Sequence, residues 1–422
     1  MVISMYIHRT IEKAIKNLSR SFPCIVVYGP RQVGKSTTVD YIFSSNYKKV
    51  TLDDLEDRLL AETNPKLFLE TNGWPLIIDE IQKVPKLLDE IKKRIDEQRL
   101  IWLKTKAKRQ LMYILTGSNK FELQQGISDS LAGRCGIIEM ASFSQIEKNK
   151  IKGNLFFPDI QNLLLLERNT KAKYKTQKEI FETIFIGGMP DICINKIERD
   201  TYFKSYVSTY LEKDVKKLIS ASSEMQFRNF LTILSLRTAS ELHYEEIATN
   251  VGIDVRTCKK WISILETSGI IFLLQPYMTN ISNRIIKSPK LYFMDTGLCS
   301  YLCKWPNAEM LENCAMNGAF FETFVVSELI KNFYAYNKDP KDYLYYYRDK
   351  DQKEIDLLYV NQSDIYPIEI KKGLNPQKAT KNFKVLEKYN KNIKPGLVIH
   401  NCDKIRPINE SAYFYPVYLL GS

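Results

Sequence analysis

Eight consecutive residues, Gly29-Pro30-Arg31-Gln32-Val33-Gly34-Lys35-Ser36, have the spacing G-x-x-x-x-G-K-S and directly follow the apolar run Cys24–Tyr28. Such a loop is built to hold phosphates. Its glycines let the backbone curl so that N–H groups face the phosphate oxygens, and the helix starting near Gly34 turns its positive end on the same atoms. Lys35 is expected to reach the β- and γ-phosphates of ATP, and the Ser36 hydroxyl to ligate Mg2+, with Gly29 through Thr37 lining the nucleotide. A second run, Leu76-Ile77-Ile78-Asp79-Glu80, delivers two carboxylates at the end of a strand, where open α/β sheets receive their ligands. Asp79 then holds the Mg2+ water shell, and Glu80 polarises the attacking water as general base.

Two further segments bear on the same chemistry. Leu115-Thr116-Gly117-Ser118-Asn119 ends another apolar run. Ser118 or Asn119 can touch the γ-phosphate or orient the water, but both residue types also cap helices, so two readings stand. Arg134, in Ser130-Leu131-Ala132-Gly133-Arg134, is the candidate for stabilising charge during hydrolysis, with an ordinary salt bridge as its competitor.

Acidic residues recur near the C-terminus. Glu369 and Lys371 are two apart on one apolar run and so share a face, and Asp356 lies in the run before it. Glu322 shares a helical stripe with Val325, Val326 and Leu329. A carboxylate on an apolar stripe costs stability unless a metal or a partner compensates it. The Asp…Glu-x-Lys spacing alone is loose, and any Lys/Glu-rich hairpin can supply it.

The elements that must position these residues follow from the hydrophobic pattern. Apolar runs at 24–28, 49–52, 75–79, 111–116 and 137–140 alternate with helical patterns near 35–45, 53–62, 85–98 and 120–132. This is the pattern of a parallel sheet with helices on both faces. Residues 160–220 look helical, broken at Gly187-Gly188 and Pro190. Helices near 225–237, 243–250 and 254–268 precede strands at 270–275 and 290–295. From about 317 a long helix leads to strands at 343–348, 354–360 and 365–371. The division expected is an ATPase core at 1–150, a helical lid at 151–220, a winged-helix unit at 221–305 and a mixed α/β unit at 306–422.

In the third unit, Tyr244–Gly252 followed by Asp254–Gly269 reads as helix, turn, helix. Val255, Ile262 and Leu265 form the apolar side of the second helix, while Arg256, Lys259 and Lys260 project elsewhere. That is the layout of a recognition helix, and Arg284 and Lys287 fall in the loop between the two following strands. These five residues are the candidate DNA contacts. Winged helices also serve protein contacts, so a protein partner remains an alternative.

Bulk properties agree with a globular chain of several domains. It has 422 residues, 44% of them hydrophobic and 26% charged. The formal charge of +12 favours a polyanionic partner such as DNA, although a Lys-rich solvated surface gives the same number. No apolar stretch approaches the ~20 residues of a membrane span, and residues 1–20 read as an amphipathic helix without a secretory core. Eight scattered cysteines suit reduced thiols in the cytoplasm.

Taken together these residues resemble a prokaryotic family of AAA-type ATPases (P-loop, ASCE class) with a C-terminal domain of unknown function. The matching residues are Gly29–Thr37, Leu52-Asp53-Asp54, Ile78–Gln82 with Val84-Pro85, Leu115–Ser118, Ser130–Arg134, Gly187–Pro190 and Tyr210-Leu211-Glu212-Lys213-Asp214. They continue through Lys287–Phe293, Asp295–Leu298, Gly318–Leu329, Glu354-Ile355-Asp356 and Glu369-Ile370-Lys371. The resemblance implies a winged helix followed by a restriction-endonuclease-like fold. In that fold Glu322, Asp356 and Glu369 would bind Mg2+, and Lys371, with Glu369, would act on water for phosphodiester attack. The function expected is an ATPase coupled to a DNA-binding, nuclease-like module, acting alone or as a homo-oligomer. A nucleotide-switched DNA- or protein-binding regulator without nuclease activity is the alternative.

Overall fold

The computed structural model describes residues 6–118, 130–211, 224–278, 288–373, 378–389 and 392–422. Asn119, Arg284, Lys287, the Glu212–Asp214 stretch and most of the helical pattern at 120–132 lie outside them.

Five short strands form the first sheet: β1 (Cys24–Tyr28), β2 (Lys48–Thr51), β3 (Leu76–Asp79), β4 (Tyr113–Gly117) and β5 (Cys135–Glu139). Their order is β2-β3-β4-β1-β5, and every pairing is parallel. Strand β1 is buried along its whole length, as parallel strands covered on both faces are. Its alternation divides it between two cores. Ile25 and Val27 face a large cluster that continues into the C-terminal half, while Cys24, Val26 and Tyr28 face a local one with Ile78, Leu115 and Ile91. Because β4 separates β1 from β3, its tip lies between the phosphate loop and the two carboxylates.

Local chemistry sets the helix starts. Asp54 accepts from the backbone N–H of Glu56 and Asp57 to start Leu55–Thr63, and Asn64, accepting from Leu67 N, starts a second short helix, Pro65–Asn72. The stretch expected to be helical from 160 to 220 is divided. Ile160–Asn169 ends at Thr170, and Gln177–Ile186 begins afresh on a capping box of Thr176 and Glu179.

The third unit holds the helices Tyr244–Val251 and Val255–Thr267, joined through Gly252 at φ 75°. They pack beside a three-stranded antiparallel sheet in the order β6-β8-β7, formed by β6 (Ser240–Glu241), β7 (Ile271–Leu274) and β8 (Lys290–Phe293). Strand β6 is too short to show in the pattern.

The helix Asn317–Ala335 is buried on nearly every side and leads to a seven-stranded mixed sheet. Strands β9 (Leu344–Arg348), β10 (Glu354–Asn361) and β11 (Asp364–Ile370) are antiparallel neighbours. Beyond them β13 (Gly396–His400) pairs with β11 in parallel, β15 (Ala412–Pro416) pairs with β13 in parallel, and β12 (Asn392–Ile393) and β14 (Arg406–Asn409) lie alongside. No described helix is long and apolar enough to cross a membrane.

Candidate functional site

The phosphate-binding loop leaves β1 at its C-terminal end. Gly29 has φ 151°, and a Cβ there would lie 2.0 Å from the carbonyl oxygen of Met140, so only glycine fits. Gly34, at φ 91°, is the N-cap of the helix Lys35–Phe43. Gln32, at φ 61°, is held left-handed without being glycine. Lys35 is buried, and its Nζ donates to Gly29 O at 3.0 Å and Pro30 O at 2.7 Å. Burial lowers its pKa to about 8, against the opposing pull of Glu80 and Asp79.

The neighbouring strand ends complete the group. Ser36 Oγ donates to Asp79 Oδ1 at 2.9 Å, and Thr116 Oγ1 donates to the same oxygen. Glu80 stands just past β3 at φ 58°, an unusual conformation that turns its side chain toward the tip of β4. There Glu80 Oε2 accepts from Ser118 Oγ at 3.3 Å and from the Gln82 amide, which also donates to Ser118 Oγ at 3.2 Å. Lys35, Ser36, Asp79, Glu80 and Ser118 thus meet at one sheet edge. Thr116 and Gln82 join them; each stood inside a quoted motif, but its type alone signalled no role.

Arg134 does not join them. It precedes β5 where Cys135 pairs with Cys24, at the opposite end of the sheet from Tyr28 and the loop. A strand of this length separates it from the phosphate site by roughly 15 Å. Its guanidinium grips Asp96 instead, Nε to Oδ1 at 2.8 Å and Nη2 to Oδ2 at 2.9 Å. Within this chain Arg134 thus makes the salt bridge that competed with the charge-stabilising reading.

The C-terminal carboxylates also converge, with a different outcome. Ile370 N donates to Asp356 Oδ2 at 2.8 Å, Asp356 N donates to Glu369 Oε2 at 3.2 Å, and Lys371 Nζ reaches Asp356 Oδ2 at 3.0 Å and Glu369 Oε2 at 3.7 Å. Burial, then the adjacent Asp356 carboxylate, pushes Glu369 up to about 9. Asp356 is buried too, yet Lys371 and its hydrogen bonds hold it below the usual carboxylate range. Burial raises Glu322 to about 7. Its Oε1 accepts from Tyr292 OH at 2.6 Å and from Lys290 Nζ at 3.1 Å, and Lys290 also binds Glu354 Oε1 at 2.5 Å.

The expected metal set of Glu322, Asp356 and Glu369 thus lies against two lysines. Lys290 and Lys371 already supply the positive charge that a divalent cation would bring, and no group of three His, Cys, Asp or Glu able to hold a metal occurs among the described residues. Lys290 escaped the sequence reading because it arrives from β8, more than thirty positions before Glu322.

On the helix Val255–Thr267, Cys258, Trp261, Ile262 and Leu265 are buried, while Arg256, Lys259 and Lys260 are exposed on the far side. Lys259 Nζ lies 5.3 Å from the Tyr244 ring.

Three segments of the chain match models of known families. Residues 21–149 match a family model described as an AAA domain. Residues 177–309 and 317–420 match two models described as domains of unknown function. Uncharacterized proteins of Mycobacterium tuberculosis and Mycobacterium bovis are each 24% identical over 359 residues, spanning 84% of this chain and 71% of theirs. A Walker-type ATPase of Pyrococcus abyssi is 13% identical with a TM-score of 0.39, covering 69% of this chain and 94% of its own. A RuvB mutant of Thermotoga maritima is 16% identical with a TM-score of 0.31, covering 64% and 91%. The loop, the strand order and the match over 21–149 together make the N-terminal part of this chain a P-loop domain of the AAA ATPase type.

Proposed function

We propose that the chain binds and hydrolyses ATP and that the nucleotide state controls its C-terminal half. The observation that carries this reading is the grouping of Lys35, Ser36, Asp79, Glu80 and Ser118 at one edge of a parallel sheet. Ser36 and Asp79 offer hard oxygen donors already in contact, and the partners of Asp79 Oδ1 are neutral hydroxyls, so the pair fits Mg2+. Bound there, the ion would neutralise phosphate charge. Lys35 exchanges the loop carbonyls for β- and γ-phosphate oxygens, and Glu80, oriented by Gln82 and Ser118, accepts the proton of the attacking water.

The exposed Arg256, Lys259 and Lys260 support a second element of the proposal, binding of duplex DNA through phosphate contacts by a winged-helix unit. Cleavage by the C-terminal group is left out, because its carboxylates are matched by lysines. The test is phosphate release from ATP and Mg2+ by wild type and Lys35→Ala, each with and without DNA. Absence of Mg2+-dependent turnover in wild type would refute the hydrolase reading. Unchanged DNA affinity and salt slope after Arg256→Ala, Lys259→Ala and Lys260→Ala together would refute the DNA reading. Nicking of plasmid DNA that is lost in Asp356→Ala would restore the nuclease.

A further inference from the structure

One buried charge touches the phosphate loop from outside the motif. Arg9 lies ahead of the first helix, Glu12–Ser19, and its side chain is only 5% exposed. Its Nη1 donates to Val33 O at 2.9 Å, and its Nη2 donates to Ala141 O at 2.7 Å. Nε lies 3.2 Å from Glu147 Oε1, and the guanidinium covers the Phe143 ring at 4.7 Å. Each arm of the fork thus engages a different segment. Val33 belongs to the loop, and Ala141 follows Met140, whose carbonyl forms the wall against Gly29.

Pinning the Val33 carbonyl has a geometric consequence. In a trans peptide the C=O and the following N–H point in opposite directions. A guanidinium that holds Val33 O on the outer side of the loop therefore aims the Gly34 N–H toward the inner, phosphate-facing side. Arg9 Nη1 would stand 3.9 Å from a Cβ on Gly34, so the charge also lies close to the loop's second glycine. Glu147 holds Arg9 in turn. Its Oε1 accepts from Thr10 N at 2.8 Å, and its Oε2 accepts from Ser144 N at 3.1 Å as part of a capping box.

We propose that Arg9 is a positioning residue for phosphate binding and transfer, its forked hydrogen bonds to Val33 O and Ala141 O setting the orientation of the Gly34 peptide. This rests on the ATP-hydrolysing reading above. A planar fork spans two carbonyls, which a lysine ammonium on its flexible stem does not reproduce. Misplacement of a phosphate-binding group by about 1 Å costs on the order of 10²-fold in rate.

The experiment measures kcat, KM and ATP affinity for wild type, Lys35→Ala, Arg9→Lys and Arg9→Gln, each normalised to folded protein by its thermal unfolding amplitude. Arg9→Lys, which keeps the charge, is the variant expected to fold if Arg9→Gln does not. The expected result is a fall in kcat/KM of roughly 10- to 100-fold in Arg9→Lys, with weaker ATP binding and a Tm close to wild type. Wild-type kcat/KM in folded Arg9→Lys would overturn the proposal by reducing Arg9 to a source of charge or packing. An inactive wild type would instead overturn the hydrolase reading on which the proposal rests.

Discussion

The two carboxylate groups of this chain differ in what faces them. At the N-terminal site Asp79 Oδ1 accepts from the hydroxyls of Ser36 and Thr116, and Lys35 donates to backbone carbonyls of its own loop. At the C-terminal group, Glu322 and Glu354 share Lys290, and Asp356 and Glu369 share Lys371. Neutral partners can be exchanged for a cation or a phosphate at little electrostatic cost. The buried Lys290 ammonium cannot leave without stranding charge. The same residue types therefore keep exchangeable neutral partners in one half and make an ionic tie between elements in the other. That tie joins β8 of the third unit to the helix Asn317–Ala335 and to β10.

Breaking the N-terminal group should have the largest effect. Lys35→Ala and Glu80→Gln are expected to lower ATP turnover by at least 10²–10³-fold, measured as phosphate release. Glu80→Gln should retain ATP binding, because the substitution keeps shape and removes only the proton acceptor. Breaking the C-terminal tie should act on stability instead. Lys290→Met leaves Glu322 and Glu354 without their shared cation and should cost about 3–5 kcal/mol in denaturant unfolding. Adding Glu322→Leu to Lys290→Met should recover part of that loss, which a metal-binding role for Glu322 would not give.

A smaller effect sharpens the comparison through pH. Glu369 binds its proton more tightly when folded, so its contribution to stability is complete below the unfolded value of about 4.3 and is lost as pH rises through about 9. The Tm of wild type should therefore fall between pH 6 and 9 more steeply than that of Glu369→Gln; equal slopes would show that Glu369 does not carry the dependence. The smallest effect belongs to Arg134→Ala. Its partly exposed pair with Asp96 should be worth about 0.5 kcal/mol, and ATP turnover by the isolated chain should not change.

Sequence legibility follows the same division. The phosphate loop was readable because consecutive residues carry the whole pattern, and the apolar runs around it are long enough to register as strands. Glu80 and Ser118 were legible as strand ends, whereas Thr116 and Gln82 gained roles only when β4 came to lie between β1 and β3. Strands β12 to β15 went unread beyond residue 371, being short and separated from their partners by irregular chain.

What the sequence determined by itself was the phosphate-loop motif, the parallel α/β core and the nearness of Glu369 to Lys371, since each depends on spacing within one segment. What only the tertiary structure decided was the company each charge keeps. Arg134 lies at the far end of the sheet because β5 runs parallel to β1. Lys290 enters the acidic group because β8 packs on the helix carrying Glu322, and Arg9 reaches Val33 across 24 positions of chain. Distances between residues so far apart in sequence are set by packing, which no local periodicity records.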